Sequence, residues 1–317
     1  MIHGDVFRNP QHSSILCAAV GSGIHLIVCS FLVLFLALTG WISTTKRGSI
    51  LSGTVILYCL TSVIGGYVSA QLYFKMNGKA WVRCLLQTSL LFPSAVLMVF
   101  MWVNTVAVAR KSTSALTFGA GFTVAFLFGC VSFPLTIFGG ILAKNYANKN
   151  MNAPTRTTKV AHEIPEESSK ALLLASEFLI AGCLPFSAIY IELHYIFASM
   201  WGHHIYTLFG VLLFAFILLL IVTSAISVCL LYFRLTREDH RWWWISFFNG
   251  GQTGITIYIY SWWYYTYVSG MTGLLQASFF FGYMWIISFA FFLMAGASGF
   301  LCSLSFAKYI YSRVKCD

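Results

Sequence analysis

Eight long apolar runs constrain the fold of this chain more than any other feature. They cover residues 15–42, 51–74, 84–109, 115–143, 171–201, 204–233, 243–268 and 274–307. A bilayer core about 30 Å thick is crossed by about 20 helical residues, and every run is longer than that. Only 9% of the residues are charged, whereas soluble domains carry about 25%. The sequence therefore predicts an all-α, polytopic integral membrane helix bundle with about eight transmembrane helices.

The basic residues predict how these helices are oriented. Fifteen of the 19 Lys and Arg residues lie in every second segment between the runs, and the other four are Lys46, Arg47, Arg110 and Lys111. Loops rich in Lys and Arg stay on the cytosolic side of a membrane. We therefore expect both termini and the loops 75–83, 144–170 and 234–242 to be cytosolic. The net charge of +10 follows from this bias and does not indicate nucleic-acid binding.

One polar segment, residues 144–170, divides the chain. Its Pro154, its Pro165 and its mixed charges are typical of a solvated linker. The predicted organisation is a cytosolic N-terminal segment 1–14, a first four-helix group 15–143, the cytosolic loop 144–170, a second four-helix group 171–307 and a cytosolic tail 308–317. No internal repeat is evident at the split, so the pattern does not favour an inverted-repeat transporter.

Two carboxylates, Glu177 and Glu192, interrupt the fifth run. On a helix they are about 22 Å and about 60° apart, so they lie on roughly one side. Glu192 shares a stripe of small and polar residues with Ala181 and Pro185, and such stripes usually pack inward. A carboxylate inside a membrane marks a proton or substrate pathway, or it is a neutral acid hydrogen-bonded to another helix. Glu177 is nearer the boundary and is also placed to reach headgroups and water.

A polar and glycine-rich cluster interrupts the seventh run. Its members are Asn249, Gly250, Gly251, Gln252, Thr253 and Gly254. Such a cluster either breaks the helix, so that freed backbone groups line a cavity, or allows another helix to approach closely. Together with the two carboxylates it predicts an intramembrane polar site formed by Glu192, Glu177, Asn249 and Gln252.

Tryptophans flank the same run at both ends. Trp242, Trp243 and Trp244 follow Arg241, and Trp262 and Trp263 lie near the other end. Tryptophan is enriched where a helix crosses the membrane–water interface. We therefore expect these residues to be interfacial anchors.

Small residues recur at a spacing of four in several runs. The pairs are Ser62 and Gly66, Ala115 and Gly119, Gly121 and Ala125, and Ala295 and Gly299. Such pairs favour close packing of membrane helices, but they are too common to locate a partner surface.

Motifs for enzymatic chemistry are missing from the sequence. There is no GxxxxGK[ST], no GxGxxG after a strand, no HExxH and no GxSxG. The nine cysteines include no CxxC and no Cys/His spacing of a zinc site. Eight of them lie in or beside apolar runs and are expected to be small buried apolar side chains. We therefore expect no metal, no cofactor, no catalytic residue and no enzymatic activity.

Several short motifs occur along the chain in a fixed order. They are HGDVFRNP at 3–10, LLFPS at 90–94, IPEE at 164–167, LPFSAIYIEL at 184–193, EDHRWWW at 238–244 and FGYM at 281–284. With this set the chain resembles the transmembrane 9 superfamily, the nonaspanins, over essentially its whole length. It departs from the family pattern at Asn9, where the family has proline. Members carry a signal peptide, a luminal domain and a first membrane helix ahead of HGDVF, so the chain is similar to their C-terminal eight-helix portion.

The resemblance also implies a location and partners. Family members reside in Golgi and endosomal membranes and sort other membrane proteins, including ones with glycine-rich membrane helices. Many end in a Lys-x-Asp/Glu signal that binds vesicle coats, and Lys315 and Asp317 match this signal. The implied partners are client membrane proteins bound through transmembrane helices, a vesicle coat bound through the tail, and the lipid bilayer.

The residues themselves leave a different function open. A proton-coupled or small-solute transporter would use Glu192 together with a helix break at Asn249–Gly254. It predicts a polar cavity near the middle of the bilayer, whereas a sorting factor predicts a groove open to lipid.

Overall fold

The computed structural model describes residues 5–42, 48–110, 118–146, 176–188, 190, 205–237, 239–268 and 273–313. Its helices are α1 (Ser13–Leu38), α2 (Ser49–Lys75), α3 (Trp81–Ala109), α5 (Ser176–Ala188), α6 (Ile205–Thr236), α7 (Trp242–Tyr267) and α8 (Leu274–Arg313). Helix α4 consists of Phe118–Leu127, a π-helical turn at Phe128–Ser132 and Phe133–Tyr146. Every regular element in the described ranges is helical, which confirms the predicted all-α membrane bundle.

Six described helices are long and apolar enough to cross a membrane, which is fewer than the eight predicted. They are α1, α2, α3, α4, α6 and α8. Helix α7 has 26 residues, but its many tryptophans and tyrosines, with Asn249 and Gln252, lower its mean hydropathy. The fifth run is described as a helix only over Ser176–Ala188.

Helix α1 lies at the centre of the bundle, where it packs against α2, α3, α6 and α8. Small residues allow this close approach. A Cβ at Gly21 would come within 2.5 Å of the Ser69 Cβ on α2, and a Cβ at Gly23 would overlap the carbonyl oxygen of Leu293 on α8. Membrane helices associate through such close backbone contacts because lipid gives them no hydrophobic driving force. Helices of the first and second predicted groups therefore pack directly against each other.

The N-terminal segment, residues 5–12, folds back onto one end of the bundle. Val6 and Phe7 are buried there. The Phe7 ring meets the ring of Tyr311 near the end of α8 edge-on, with centroids 5.9 Å apart. The side-chain amide of Asn9 donates a hydrogen bond to the carbonyl oxygen of Met76, just after α2, at 3.0 Å. We call this end, at which α2, α4, α6 and α8 terminate, the basic end.

Trp242 and Trp243 are core residues, so the prediction that they anchor the membrane interface was wrong. They are 0% and 2% exposed. Their rings stack with centroids 4.5 Å apart, and both pack against Phe300 of α8. The Trp242 indole Nε1 donates to the carbonyl oxygen of Val6 at 2.8 Å. The N-terminal segment therefore covers these rings, a contact between residues far apart in sequence that local composition does not reveal.

Only half of the eight cysteines in or beside the apolar runs are buried, so that expectation was wrong for the other four. Cys17, Cys29, Cys59 and Cys84 are buried, whereas Cys130, Cys183, Cys229 and Cys302 are exposed. Lipid tails are as apolar as the bundle interior, so a small apolar side chain gains little by facing inward.

Candidate functional site

Glu177, in the first turn of α5, forms an ion pair with Arg234 in the last turn of α6. The Arg234 Nη2 donates to the Glu177 Oε2 at 2.5 Å, and its Nη1 donates to the Asp239 Oδ2 at 2.9 Å. The side chains of Glu177 and Arg234 are each 12% exposed. Away from bulk water these charge-assisted hydrogen bonds are stronger than on an open surface. The cluster joins α5, α6 and the α6–α7 connection.

Sequence reasoning found Glu177 but missed its partners. Arg234 had been counted only among the basic residues that set orientation, and Asp239 had no role. The ion pair could have been predicted from an acid in the first turn of one apolar helix and an arginine in the last turn of the next. Both positions lie at the same end of an up-and-down bundle.

Helix α5 packs along α7, and two residues of the predicted inward stripe are buried. Ala181 and Pro185 are buried, as expected. A Cβ at Gly182 would overlap the hydroxyl of Thr256 and would lie 3.7 Å from the Gln252 Cβ. Farther along, the Phe186 ring lies 5.3 Å from the ring of Tyr260. Glu192, the next carboxylate on this run, lies outside the described residues, so its role stays a prediction.

The two α7 residues of the predicted polar site, Asn249 and Gln252, both direct polar groups into the protein interior. Asn249 is buried, and the Gln252 Oε1 is buried with no hydrogen-bond donor in the described part of the chain. The structure thus brings Gln252 against α5, the helix that carries Glu177. Glu177 itself is held by Arg234, so these residues do not converge on one polar centre.

Helix α7 is continuous from Trp242 to Tyr267, so of the two alternatives for Asn249–Gly254 the helix break is not the one found. Its glycines face α8 instead. A Cβ at Gly254 would come within 2.5 Å of the Ser288 carbonyl oxygen and 2.6 Å of the Phe292 amide nitrogen. The cluster therefore provides close packing, the other expectation. Because the helical hydrogen bonds are kept, the transporter hypothesis loses the freed backbone groups it required.

The outer half of α4, residues 118–131, carries a row of small residues that no other described element packs against. Gly121, Ala125 and Gly129 follow one another at a spacing of four and are all exposed. Within the described part of the protein, a Cβ at Gly121 or Gly129 would meet no atom within 4 Å. We call these three residues the α4 stripe. It extends the pair Gly121 and Ala125, found in the sequence, by Gly129.

The other half of α4 shows what such a row does when it has a partner. A Cβ at Gly139 would overlap the carbonyl oxygen of Val63 on α2. The Ser62 hydroxyl donates to the Ser132 carbonyl oxygen at 3.1 Å, and Thr136 and Ala143 are buried. The π-helical turn at Phe128–Ser132 separates the two halves. Such turns frequently occur at functional sites.

A groove between α1 and α6 also faces the membrane. Its volume is about 540 Å³, and its lining includes Ile27, Phe31, Phe216, Leu220 and Ile221. Ser224 and Cys302 also line it, the Ser224 hydroxyl donates to the carbonyl oxygen of Leu220 within its own helix, and no charged side chain is among the lining residues. Among the described residues, no three His, Cys, Asp or Glu side chains lie close enough to hold a metal ion.

Comparison with known proteins gives matches along the whole chain. The family model described as Endomembrane protein 70 matches residues 1–274. Transmembrane 9 superfamily member 4 of Arabidopsis thaliana is 47% identical over 317 residues, which is 100% of this chain and 53% of that protein. Transmembrane 9 superfamily member 1 of Mus musculus is 41% identical over 318 residues, which is 100% of this chain and 52% of that protein.

The chain spans about half the length of the curated relatives that it matches. No solved structure matches it. The family model covers most of the chain, and similarity to the named relatives extends from one end of the chain to the other. The chain therefore belongs to the Endomembrane protein 70 family, whose curated members are named as the transmembrane 9 superfamily.

Proposed function

We propose that this protein is a non-enzymatic sorting factor of Golgi and endosomal membranes that binds the transmembrane helices of other membrane proteins. The α4 stripe carries the proposal. Gly121, Ala125 and Gly129 form a small-residue face that no described part of the chain covers, whereas Gly66 and Gly139 are packed against the backbone of a neighbouring helix. In a bilayer, such a face makes more van der Waals contacts with a second helix than with mobile lipid tails.

The preferred client follows from the shape of this face. A helix with glycine or alanine at a spacing of four can bring its backbone against the stripe, as Gly66 of α2 does against Thr136. A leucine-rich helix holds the two backbones apart and loses most of these contacts. We therefore expect clients with glycine-rich membrane helices, as the family resemblance implies.

The proposed location is supported by the chain terminus and by the family name. Lys315 and Asp317 match a coat-binding signal, and the matching family is described as an endomembrane protein. A coat protein reads such a signal from the cytosol, in agreement with the orientation that the basic residues predict. Lys315 and Asp317 lie outside the described residues.

Site-specific photocrosslinking tests the client surface. A photoreactive residue at Ala125 should crosslink to client membrane helices in Golgi membranes. One at Val124, which is 56% exposed on the same helix, lies off the stripe and should crosslink mainly to lipid. Equal client yields from both positions would contradict binding at the stripe.

The substitution Gly129→Leu tests whether small size matters at the stripe. Filling a close helix contact costs about 1–3 kcal/mol, so client recovery should fall by about tenfold. The control Val124→Leu should leave it unchanged. Client recovery that survives Gly129→Leu, with the protein folded, would exclude the stripe as the binding face.

The substitution Lys315→Ala tests the coat signal. Removing the cation that a vesicle coat reads should move the protein from the Golgi to later compartments, as seen by fluorescence microscopy. The control Arg313→Ala removes a neighbouring cation outside the motif and should leave the protein in place. An unchanged distribution of the Lys315→Ala variant would remove this part of the proposal.

A further inference from the structure

Helices α2 and α4 run side by side from the middle of the bundle to the basic end. The Ser62 hydroxyl donates to the carbonyl oxygen of Ser132 at 3.1 Å, and a Cβ at Gly66 would overlap the carbonyl oxygen of Thr136. The second contact lies four residues after the first in both helices, so the two helices run in the same direction. Residues at equal distances in sequence from Ser62 and Ser132 therefore lie at about the same height along the bundle.

The side of α2 that meets α4 at Ser62 is open farther from the basic end. Leu51 and Val55 precede Ser62 by 11 and 7 residues, and such spacings keep side chains on one side of a helix. Leu51 is nevertheless 72% exposed, and Val55 is partly exposed. In the described part of the chain, α4 therefore covers this side of α2 at Ser62 but not at Leu51.

The α4 stripe lies at the matching height on the other helix. Gly121 and Ala125 precede Ser132 by the same 11 and 7 residues, and both are exposed. The π-helical turn at Phe128–Ser132 lies where the two helices separate, and such turns kink a helix. At 1.5 Å per residue, the separated parts are about 15 Å long. We call the space between the α4 stripe and the Leu51 side of α2 the α2–α4 cleft.

We propose that the transmembrane helix of a client occupies the α2–α4 cleft, with its small residues against the α4 stripe and its adjacent side against Leu51 and Val55. This inference rests on the proposed function and adds a second wall to the client site. The occupant follows from continuity with the contact between α2 and α4, where one helix backbone meets another. A lipid tail in the same place would give the small residues fewer contacts than a helix does.

The contact between Ser62 and Ser132 closes one end of the cleft and determines which part of a client helix is recognised. From this contact to the basic end, α2 already occupies the small-residue side of α4. The open length of about 15 Å corresponds to about 10 helical residues, half of a helix of about 20 residues that crosses the bilayer. Recognition therefore depends on glycine or alanine in the half of the client helix that is farther from the basic end.

Photocrosslinking from α2 tests the second wall. A photoreactive residue at Leu51 should crosslink to client helices in Golgi membranes, as one at Ala125 should. Leu60 is 58% exposed, and because it is two residues from Ser62 it points to the opposite side of α2. A photoreactive residue at Leu60 should crosslink mainly to lipid.

The pattern of crosslinks separates this inference from the proposed function. Clients captured from Ala125 but not from Leu51 would overturn the second wall and leave the α4 stripe as the client surface. Capture from neither position would contradict both. A crosslink from Leu51 that joins two copies of this chain, or two segments of one copy, would show that a client does not occupy the cleft.

The substitution Leu51→Trp tests whether the space itself is needed. Filling the cleft should lower client recovery about tenfold, whereas the matched control Leu60→Trp should leave it unchanged. Both leucines are exposed, so neither substitution should lower the Tm in detergent. Equal client recovery from the two variants would exclude the cleft.

Single-span reporter proteins of fixed orientation test which half of a client helix is recognised. Each carries a leucine-rich membrane helix with three glycines at a spacing of four, in either its luminal or its cytosolic half. With the basic end cytosolic, as predicted, the reporter with luminal glycines should be recovered with the protein about tenfold more efficiently. Equal recovery of the two reporters would overturn recognition of one half, and better recovery of the reporter with cytosolic glycines would overturn the cleft as the site.

Discussion

At the scale of single residues, the bundle is closed at its basic end by a few specific polar contacts. The Trp242 indole donates to the carbonyl oxygen of Val6, and Trp244 donates in the same way to that of Gln11. The first contact is fully buried and the second is exposed. A buried carbonyl that loses its donor keeps its desolvation cost, whereas an exposed one can turn to water. Two chemically equal contacts therefore differ in their effect on stability.

The substitution Trp242→Phe tests this difference. It leaves the Val6 carbonyl oxygen without its donor and should lower the free energy of unfolding by about 1–3 kcal/mol. Trp244→Phe removes the matching exposed contact and should cost about 1 kcal/mol or less. Denaturant unfolding of both variants in detergent micelles gives the two values. Equal decreases in the free energy of unfolding would show that burial of the Val6 carbonyl oxygen does not determine how much stability is lost.

The ion-pair cluster is the second residue-scale feature, and its role is to fix helices rather than to carry out chemistry. Arg234 is shared by Glu177 and Asp239, so one side chain connects α5, α6 and the following loop. The net gain in stability from such a pair is small because each charge also loses hydration. The Glu177 and Arg234 side chains must nevertheless meet within hydrogen-bond distance, and this requirement positions the first turn of α5.

At the scale of helices, the sequence predicts the positions of the elements well and their contacts poorly. Each apolar run contains a described helix because length and hydropathy are local properties. The inward face of α5 was predictable as well, since the spacing of Ala181 and Pro185 defines it. The burial of Trp242 and Trp243 was not, because it depends on a segment more than 200 residues away.

The glycines show that helix contacts at the candidate site are also hard to predict from the sequence. Gly254 and Gly121 occur in similar small-residue patterns, yet Gly254 is packed against α8, whereas a Cβ at Gly121 would meet no described atom within 4 Å. The difference comes from which helix is adjacent, a property of the whole bundle that a spacing of four does not encode. The partners of Glu177 were missed for the same reason.

The substitutions Gly254→Ala and Gly121→Ala separate these two environments. At Gly254 the added methyl group meets backbone atoms of Ser288 and Phe292, so α7 and α8 must move apart at a cost of about 1–3 kcal/mol. At Gly121 the methyl group enters open space, and alanine favours the helix by about 0.5–1 kcal/mol. Thermal unfolding in detergent should therefore show a loss for the first variant and none for the second. A similar loss in both would mean that the outer half of α4 is packed against something in the isolated protein.

At the scale of the whole molecule, the bundle has two different ends. The basic end holds the N-terminal segment and the Arg234 cluster. The outer half of α4 lies toward the other end and presents the α4 stripe to the membrane. The α4 stripe and the Arg234 cluster are thus at opposite ends of the bundle. A client helix bound at the α4 stripe is therefore not expected to contact the N-terminal segment or the Arg234 cluster.

The proposed coat signal requires the basic end of the bundle to be cytosolic. Cysteine labelling in cells with a permeabilised plasma membrane can test this orientation. Trp41, which follows α1 and is 86% exposed, lies at one end, and the exposed Lys79 lies at the other. With the plasma membrane permeabilised and the Golgi intact, a membrane-impermeant maleimide should label Lys79→Cys at once. It should label Trp41→Cys only after detergent is added, because Lys and Arg stay on the cytosolic side. Cys316 lies in the predicted cytosolic tail, so both variants are made in a Cys316→Ser background, which by itself gives the baseline. The reverse labelling order would show that the basic end is luminal. A cytosolic coat could then not reach the tail, and the coat-signal proposal would fail.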